Sequence, residues 1–434
     1  MRVLVVDADK VGLPISMAAK KAGHTVRLWQ PPCKIGQGLV DKVDNWRPSM
    51  GWADLILTTD NSKLINELEP FFQQGYPIFG CNKEAGEWEL DREKGQQILD
   101  DCGIDTLPCE TFTNYDDAIQ YVLENNETYV SKPWGGNPDK SLSYVSRSPA
   151  DMVFKLQRWK KEGKLKGRFM LQKAVEGGVE MAVGGWFGPG GWSEPINENW
   201  EEKRLMNDGL GPNTGEMGTV MRYVSKSKLF KEVLEPVTDR LAKTGYVGYV
   251  DMNCIVDKTG KPWPLEFTMR FGWPHFNLCM TLHEGDPVEW MLDLIDGKDT
   301  LRWKKDVCVG VVMAHGDFPW DTLPPSATTG FPLEGLKNKW MKDLRFTSMM
   351  KAPAPVMVNG KVKEMDTLVT AGSYVLVGTA LGDTVEGARE NVYQMVNDIK
   401  WPHDRIYRTD IGKRLEKMLP ELQKHGYATG MKYE

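Results

Sequence analysis

A chain of 434 residues with 41% hydrophobic and 26% charged side chains has an ordinary globular composition, and it is too long for one core, so roughly two to four compact units are expected. The net charge of −6 argues against a surface that coats nucleic acid and leaves room for a local basic pocket. No run approaches about eighteen apolar residues and the seven cysteines include no CxxC pair, which argues against a membrane-spanning helix and a zinc site and favours a reducing, cytoplasmic setting.

Residues 3–6 form a short apolar run directly after Met1-Arg2, a strand rather than a signal peptide. Helical spacing over 13–22 and a second strand at 25–29, closed by Pro31-Pro32, predict a parallel βαβ unit, continued by a strand at 54–58, a helix at 64–72 and a strand at 77–79. A dinucleotide site is the tempting reading. The turn after the first strand, Asp7-Ala8-Asp9-Lys10-Val11-Gly12, lacks the GxGxxG that would close a backbone around a pyrophosphate. A helix at 92–101 follows, then a β-rich region with strands at 129–132, 143–145, 169–173 and 179–187. Between the first two of these lies Pro133-Trp134-Gly135-Gly136-Asn137-Pro138-Asp139-Lys140, a polar flap of the kind that covers a triphosphate. A long helix at 228–244 precedes strands at 248–256 and 263–268, joined by Asp257-Lys258-Thr259-Gly260. Pro324-Pro325-Ser326 reads as a linker. Beyond it, strands around Val356, Val362 and Val375 and helices at 384–399 and 411–424 make a C-terminal α+β unit.

Two blocks carry chemistry. Gly211-Pro212-Asn213-Thr214-Gly215-Glu216-Met217-Gly218 is a glycine-rich loop able to fold around an anion or small substrate. Leu265-Glu266-Phe267-Thr268-Met269-Arg270-Phe271-Gly272 is an apolar strand ending in a carboxylate and a guanidinium, which suits Mg²⁺ and phosphate held together. Together and in this order they resemble the phosphoribosylamine–glycine ligase (glycinamide ribonucleotide synthetase) family of the ATP-grasp superfamily, whose blocks read GPNTGGMG and IEFNxRFGDPE. Lys203-Arg204 before the loop, Thr379 to Val385, Asn397-Asp398-Ile399 and Asp410-Ile411-Gly412 extend the similarity from about Pro77 to the C-terminus.

The resemblance implies an α/β (α+β) architecture: an N-terminal Rossmann-like pre-ATP-grasp domain at 1–105, an ATP-grasp domain at 106–325 with a flap subdomain at about 128–190, and a C-terminal α+β domain at 326–434. It implies an ATP-dependent, ADP-forming carboxylate–amine ligase of purine biosynthesis, working through an acyl phosphate. Its small-molecule partners would be ATP, an amino acid (glycine by default) and an amine, with Mg²⁺ or alternatively Mn²⁺, in a monomer or homodimer. The alternatives are the same chemistry on another amine, such as a modified nucleotide or amino sugar, or a non-catalytic nucleotide-binding homologue.

By the same resemblance Lys132 contacts the ATP phosphates, with Arg92 and Lys140 as further cations and Lys203 beside the loop. The hinge Gln172, Lys173 and Val175 reads the adenine edge, and Glu180 the ribose. Glu266 is the expected metal ligand, an ion pair with Arg270 being its plain alternative. Thr268 stands where the family has a metal-binding Asn, and Asp251, on the preceding strand, is expected to compensate as a ligand, or else to be a core aspartate. Arg270 with Asn213 and Gly215 is expected to bind the carboxylate and its acyl phosphate. Three elements depart from the family on the amine side. The GxGGREHA turn is replaced by Asp7 to Pro14, the GPE element by Thr58-Thr59-Asp60-Asn61, and the Asp-Pro-Glu after the metal strand by Trp273-Pro274-His275, where a histidine is expected to change which head group is welcome.

Overall fold

The computed structural model of the chain describes residues 1–133, 143–164 and 167–434. The opening pattern folds as a five-stranded parallel sheet in the order Asp41–Val43, Thr25–Trp29, Arg2–Val6, Leu55–Thr58, Ile78–Phe79. Val3 to Val6 have essentially no exposed surface, as a central parallel strand covered on both faces requires. The carboxyl ends of Arg2–Val6 and Leu55–Thr58 carry the turns at 7–12 and 59–63, the edge at which open parallel sheets receive ligands.

A small antiparallel sheet follows, ordered Cys109–Phe112, Phe169–Lys173, Tyr129–Pro133, Tyr144–Val145. Helices Tyr115–Asn125 and Pro149–Lys161 cover it with a core of Phe112, Tyr115, Val122, Trp159 and Phe169. The rest of the site is built on one long antiparallel sheet. Its order is Pro262–Thr268, Gly248–Val256, Val179–Gly188, Ile196–Glu201, Gly218–Val224, Val307–Ala314, Tyr374–Gly382, Leu344–Phe346. The strand Val307–Ala314 pairs on one side with Gly218–Val224 and on the other with Tyr374–Gly382, so the sheet runs past Pro324 without a break. Among the described residues no helix is long and apolar enough to cross a membrane, and the seven cysteines are free thiols.

The helix expected over 228–244 is broken into Lys228–Val233, a 3₁₀ turn at Glu235–Val237 and Thr238–Lys243. Pro236 is the cause: it has no N–H to donate and its ring crowds the carbonyl one turn back. A helix that the pattern did not announce, Lys83–Leu90, starts at Asn82, whose side chain accepts the Ala85 N–H.

Candidate active site

Lys132 stands one residue from the end of Tyr129–Pro133, and its ammonium donates to Gln172 Oε1 on the neighbouring strand at 2.8 Å. Burial pushes that ammonium down to about 8; Glu266 pulls it up, and Arg92 and Lys203 push it down. Three cations and a carboxylate, from segments far apart in the chain, therefore share one neighbourhood. Arg92 opens the helix Arg92–Asp101, where Asp91 is the cap, accepting the N–H groups of Glu93 and Lys94. Its guanidinium lies 3.0 Å from Glu266 Oε2, so the ion pair of Glu266 is with Arg92 and not with Arg270.

Lys203 lies 3.1 Å from Glu201 and 3.6 Å from Glu180. Burial alone would lower its ammonium, but Glu201, Glu180 and Glu266 together carry it above the ordinary lysine range. Arg414, just after Asp410-Ile411-Gly412, adds a cation from the C-terminal segment, 2.8 Å from Glu202 and 3.7 Å from Glu180. Glu201 and Arg414 were not singled out in the sequence, although both adjoin segments that were.

On the strand Pro262–Thr268, Glu266 faces Asn253 and Thr268 faces Asp251 across the ladder, and alternate residues share a face, so all four project to one side. Glu266 is 40% exposed at the mouth of the site. Asp251 is 2% exposed, and its Oδ2 accepts from Asn199 Nδ2 at 2.9 Å and Tyr249 Oη at 2.8 Å, while Oδ1 has no partner. Burial first, and Glu201 second, push its carboxyl up. His275, expected at the amine side, is instead buried against Tyr249 Oη, and burial pushes its imidazole down to about 3, so it is a neutral packing partner. Mg²⁺ uses one or two carboxylates and lets phosphate oxygens complete its shell, and the half-exposed Glu266 among Lys132, Arg92 and Lys203 fits that chemistry. Among the described residues no three His, Cys, Asp or Glu side chains form a metal cage by themselves.

The glycine-rich loop closes as a hairpin against Lys203-Arg204. Thr214 gives both its N–H and its hydroxyl to the Lys203 carbonyl, at 2.8 and 2.9 Å, and Leu205 N–H bonds the Pro212 carbonyl. Gly211, at φ 80°, supplies the left-handed turn. Asn213 and Gly215 are exposed, with open space beside Gly215, whereas a Cβ at Gly218 would meet the Gly310 carbonyl at 2.6 Å, so that glycine is there for packing. In the hinge, Gln172 Nε2 and Ser131 Oγ are buried without a hydrogen-bond partner in the protein. Lys173 donates its N–H to Pro108 and its ammonium pairs with Glu127, while Val175 follows the end of the strand. Lys140 and Trp134 lie outside the described residues.

Arg270 is held 3.1 Å from Glu89 Oε1 and donates to the Phe271 carbonyl at 3.0 Å. The other oxygen of Glu89 accepts from Asn61 at 2.8 Å and from the Met269 N–H at 2.7 Å, so this acid, not singled out in the sequence, ties the end of the strand Pro262–Thr268 to the N-terminal sheet. At that sheet's edge Asp7 is fully buried and accepts four donors: the N–H groups of Val11 and Gly12, Gln30 Nε2 and Thr59 Oγ1. Gly12 is the N-cap of the helix Leu13–Lys21. The Val11 and Gly12 amides, which could otherwise face a phosphate in this turn, are thus committed to an internal carboxylate.

Comparison with known proteins agrees with this geometry. The family "Phosphoribosylglycinamide synthetase, ATP-grasp (A) domain" matches residues 91–276, and "Phosphoribosylglycinamide synthetase, C domain" matches 308–414. The phosphoribosylamine–glycine ligase of Haemophilus influenzae is 28% identical over 373 residues, 83% of this chain and 82% of that protein. The crystal structure of the Thermotoga maritima phosphoribosylamine–glycine ligase superposes with a TM-score of 0.71 at 20% identity, covering 95% of this chain and all 100% of that one. The biotin carboxylase domain of Hydrogenobacter thermophilus 2-oxoglutarate carboxylase, solved with MgADP and bicarbonate, shares the fold at a TM-score of 0.64 and 12% identity, over 99% of this chain and 96% of that one.

Proposed function

We propose that this chain, which belongs to the phosphoribosylglycinamide synthetase family of ATP-grasp ligases, joins an amino acid, glycine by default, to an amine and converts ATP to ADP and phosphate. The single observation that carries the reading is the meeting of Lys132, Arg92, Lys203 and Glu266 in one place. Arg92 is paired with Glu266, Lys203 with Glu201 and Glu180, and Lys132 donates to Gln172. The triphosphate can displace the carboxylates from the cations, and Glu266, released from Arg92, would hold Mg²⁺ or Mn²⁺. When bound, that ion offsets the charge that builds on the transferred phosphoryl group.

In this reading an oxygen of the amino-acid carboxylate attacks the γ-phosphorus, the bond to ADP breaks, and the amine nitrogen then attacks the acyl carbon with phosphate leaving and one proton lost. Lys132 and Lys203 fix the phosphates, and the buried Gln172 amide orients the base. Arg270, held by Glu89, and the exposed Asn213 and Gly215 of the glycine-rich loop are the groups assigned to the carboxylate and its acyl phosphate. Such positioning and preset charge supply most of the rate in phosphoryl transfer. Because Asp7 occupies the first βα turn, the amine acceptor brings no phosphate there.

The test is ADP release across a matrix of amino acids and amines, including phosphoribosylamine generated in place, with Glu266→Ala as control. Turnover lost in Glu266→Ala with folding retained supports the reading. Stabilisation of the protein by NADH alone, with none by MgATP, sinks it.

A further inference from the structure

The face of the large sheet behind Lys203 holds a group of buried acceptors that the ligase reading leaves idle. Glu216, where the family's loop has the second glycine of its adjacent pair, is only 6% exposed, and its Oε1 has no hydrogen-bond partner. A β-bulge puts it there. The Met217 N–H bonds the Glu202 carbonyl at 2.7 Å while the Glu202 N–H bonds the Gly218 carbonyl at 2.8 Å, so two residues face one and the alternation shifts. Glu216 is thereby turned to the face that carries Glu201 and Lys203, and Asp251 is among the charges that act on it.

On the same face Asp251 Oδ1 and Asn199 Oδ1 are also unpartnered, in side chains with 2% and 0% exposure. The strand between theirs has Ala182 opposite Asn199 and Gly184 opposite Asp251. A Cβ on Gly184 would lie 2.6 Å from Asp251 Oδ2, so the glycine is what lets Asn199 and Asp251 meet over the middle strand, at 2.9 Å. The amide orientation of Asn199 follows from that contact, since its nitrogen must face Asp251 Oδ2, which leaves its oxygen as a further acceptor. Three buried acceptors without a donor are costly unless a ligand supplies one.

We infer that Glu216, Asp251 and Asn199 form a binding pocket for the primary ammonium group of the amino acid being activated. An ammonium offers three N–H donors to three idle acceptors, and two carboxylates balance its charge. The acceptor amine fits poorly here, because it must reach the acyl carbon with its lone pair free, and an anionic pocket holds an amine protonated. For the activated amino acid the same effect is useful: its own nitrogen stays protonated and cannot attack an acyl phosphate. This assigns Asp251, held deep by Tyr249 and Asn199, to the ammonium and leaves the metal to Glu266 at the mouth. The inference rests on the proposed carboxylate activation, and it makes Glu216 a determinant of specificity that the glycine of the family loop cannot be.

The experiment compares wild type with the isosteric Glu216→Gln, using glycine as substrate. The expected result is a KM for glycine raised at least tenfold, with the Kd for MgATP and the Mg²⁺ half-saturation unchanged. A KM for glycine within twofold of wild type, or a shift in Mg²⁺ half-saturation in its place, overturns the assignment, the latter outcome placing Glu216, with Asp251, at the metal. Should the variant not fold, wild type decides in the presence of MgATP. Glycine should raise the melting temperature where acetate, which lacks the ammonium, does not, and equal protection by acetate overturns the pocket. Failure of the ligase reading itself is distinguishable, because wild type then releases no ADP with glycine or any other amino acid.

Discussion

Lys132 is the residue through which pH should act on the nucleotide. Its ammonium titrates near 8 when buried in the site, against an ordinary 10.5, because burial disfavours its charge. ATP phosphates favour the charged form, so binding above about pH 8 must take up a proton. The Kd for MgATP is expected to be flat from about pH 6.5 to 7.5 and then to rise by up to about tenfold per pH unit. Lys132→Met should bind more weakly throughout and lose the break, which titration calorimetry at four or five pH values would show; an unbroken wild-type profile removes Lys132 from the phosphate site. The stability of the apoprotein has the opposite sign. Between about 8 and 10.5 the unfolded chain binds more protons at this residue, so its contribution to stability improves as pH rises through that window.

A second residue-scale expectation concerns structure only. Arg222 and Glu198 are 8% and 2% exposed and lie 2.7 Å apart; Ser227 bonds the other oxygen of Glu198, and Arg222 reaches the Thr429 carbonyl at 2.9 Å. Arg222→Ala strands a buried carboxylate and should cost about 3–5 kcal/mol in urea unfolding. The double variant Arg222→Met with Glu198→Gln should recover much of that, since no charge is then left unpaired; equal loss in both would mean the packing, not the charge, matters.

At the scale of elements, the first βα turn and the strand Ile196–Glu201 show what the sequence could and could not reveal. Helix Arg92–Asp101 and strands Phe169–Lys173 and Gly248–Val256 were legible at their observed bounds, because their apolar spacing and caps point inward as in any core. Ile196–Glu201 was not. Its inward-facing residues are Asn197, Asn199 and Glu201, so a strand that lines a site reads as polar loop by the usual alternation. The motif residues Lys132, Lys203 and Glu266 were legible, while Glu89 was hidden in a helix that no periodicity announced. The missing glycines at 7–12 were visible; that Asp7 itself takes the Val11 and Gly12 amides was not, since a buried aspartate and a surface one look alike in a sequence. From that turn we expect a kcat/KM for phosphoribosylamine below about 10⁴ M⁻¹s⁻¹, the range of dedicated enzymes starting there. A higher value would refute the idea that an internal carboxylate closes this turn to phosphate.

For the whole molecule, the long sheet joins the C-terminal strands to those that carry Glu180, Glu201 and Glu266. Arg414 reaches Glu180 and Glu202, and Arg408, 2% exposed, lies 3.3 Å from Glu202 and 2.8 Å from Asp410, so the floor beneath Lys203 is held from the C-terminal side. More decisive is the strand Val307–Ala314, buried over all eight residues and laddered from Val307 opposite Gly382 to Ala314 opposite Tyr374. Cutting the chain at Pro325 removes Tyr374–Gly382 and leaves this apolar strand as a bare edge, a template for aggregation. The fragment 1–325 is therefore expected to be insoluble or to lack a cooperative melt by circular dichroism, although every residue assigned to MgATP lies within it. A soluble 1–325 fragment that melts cooperatively and is stabilised by MgATP would show that the strand ladder past Pro324 is dispensable, and that the ATP-grasp unit is energetically separate from the C-terminal unit.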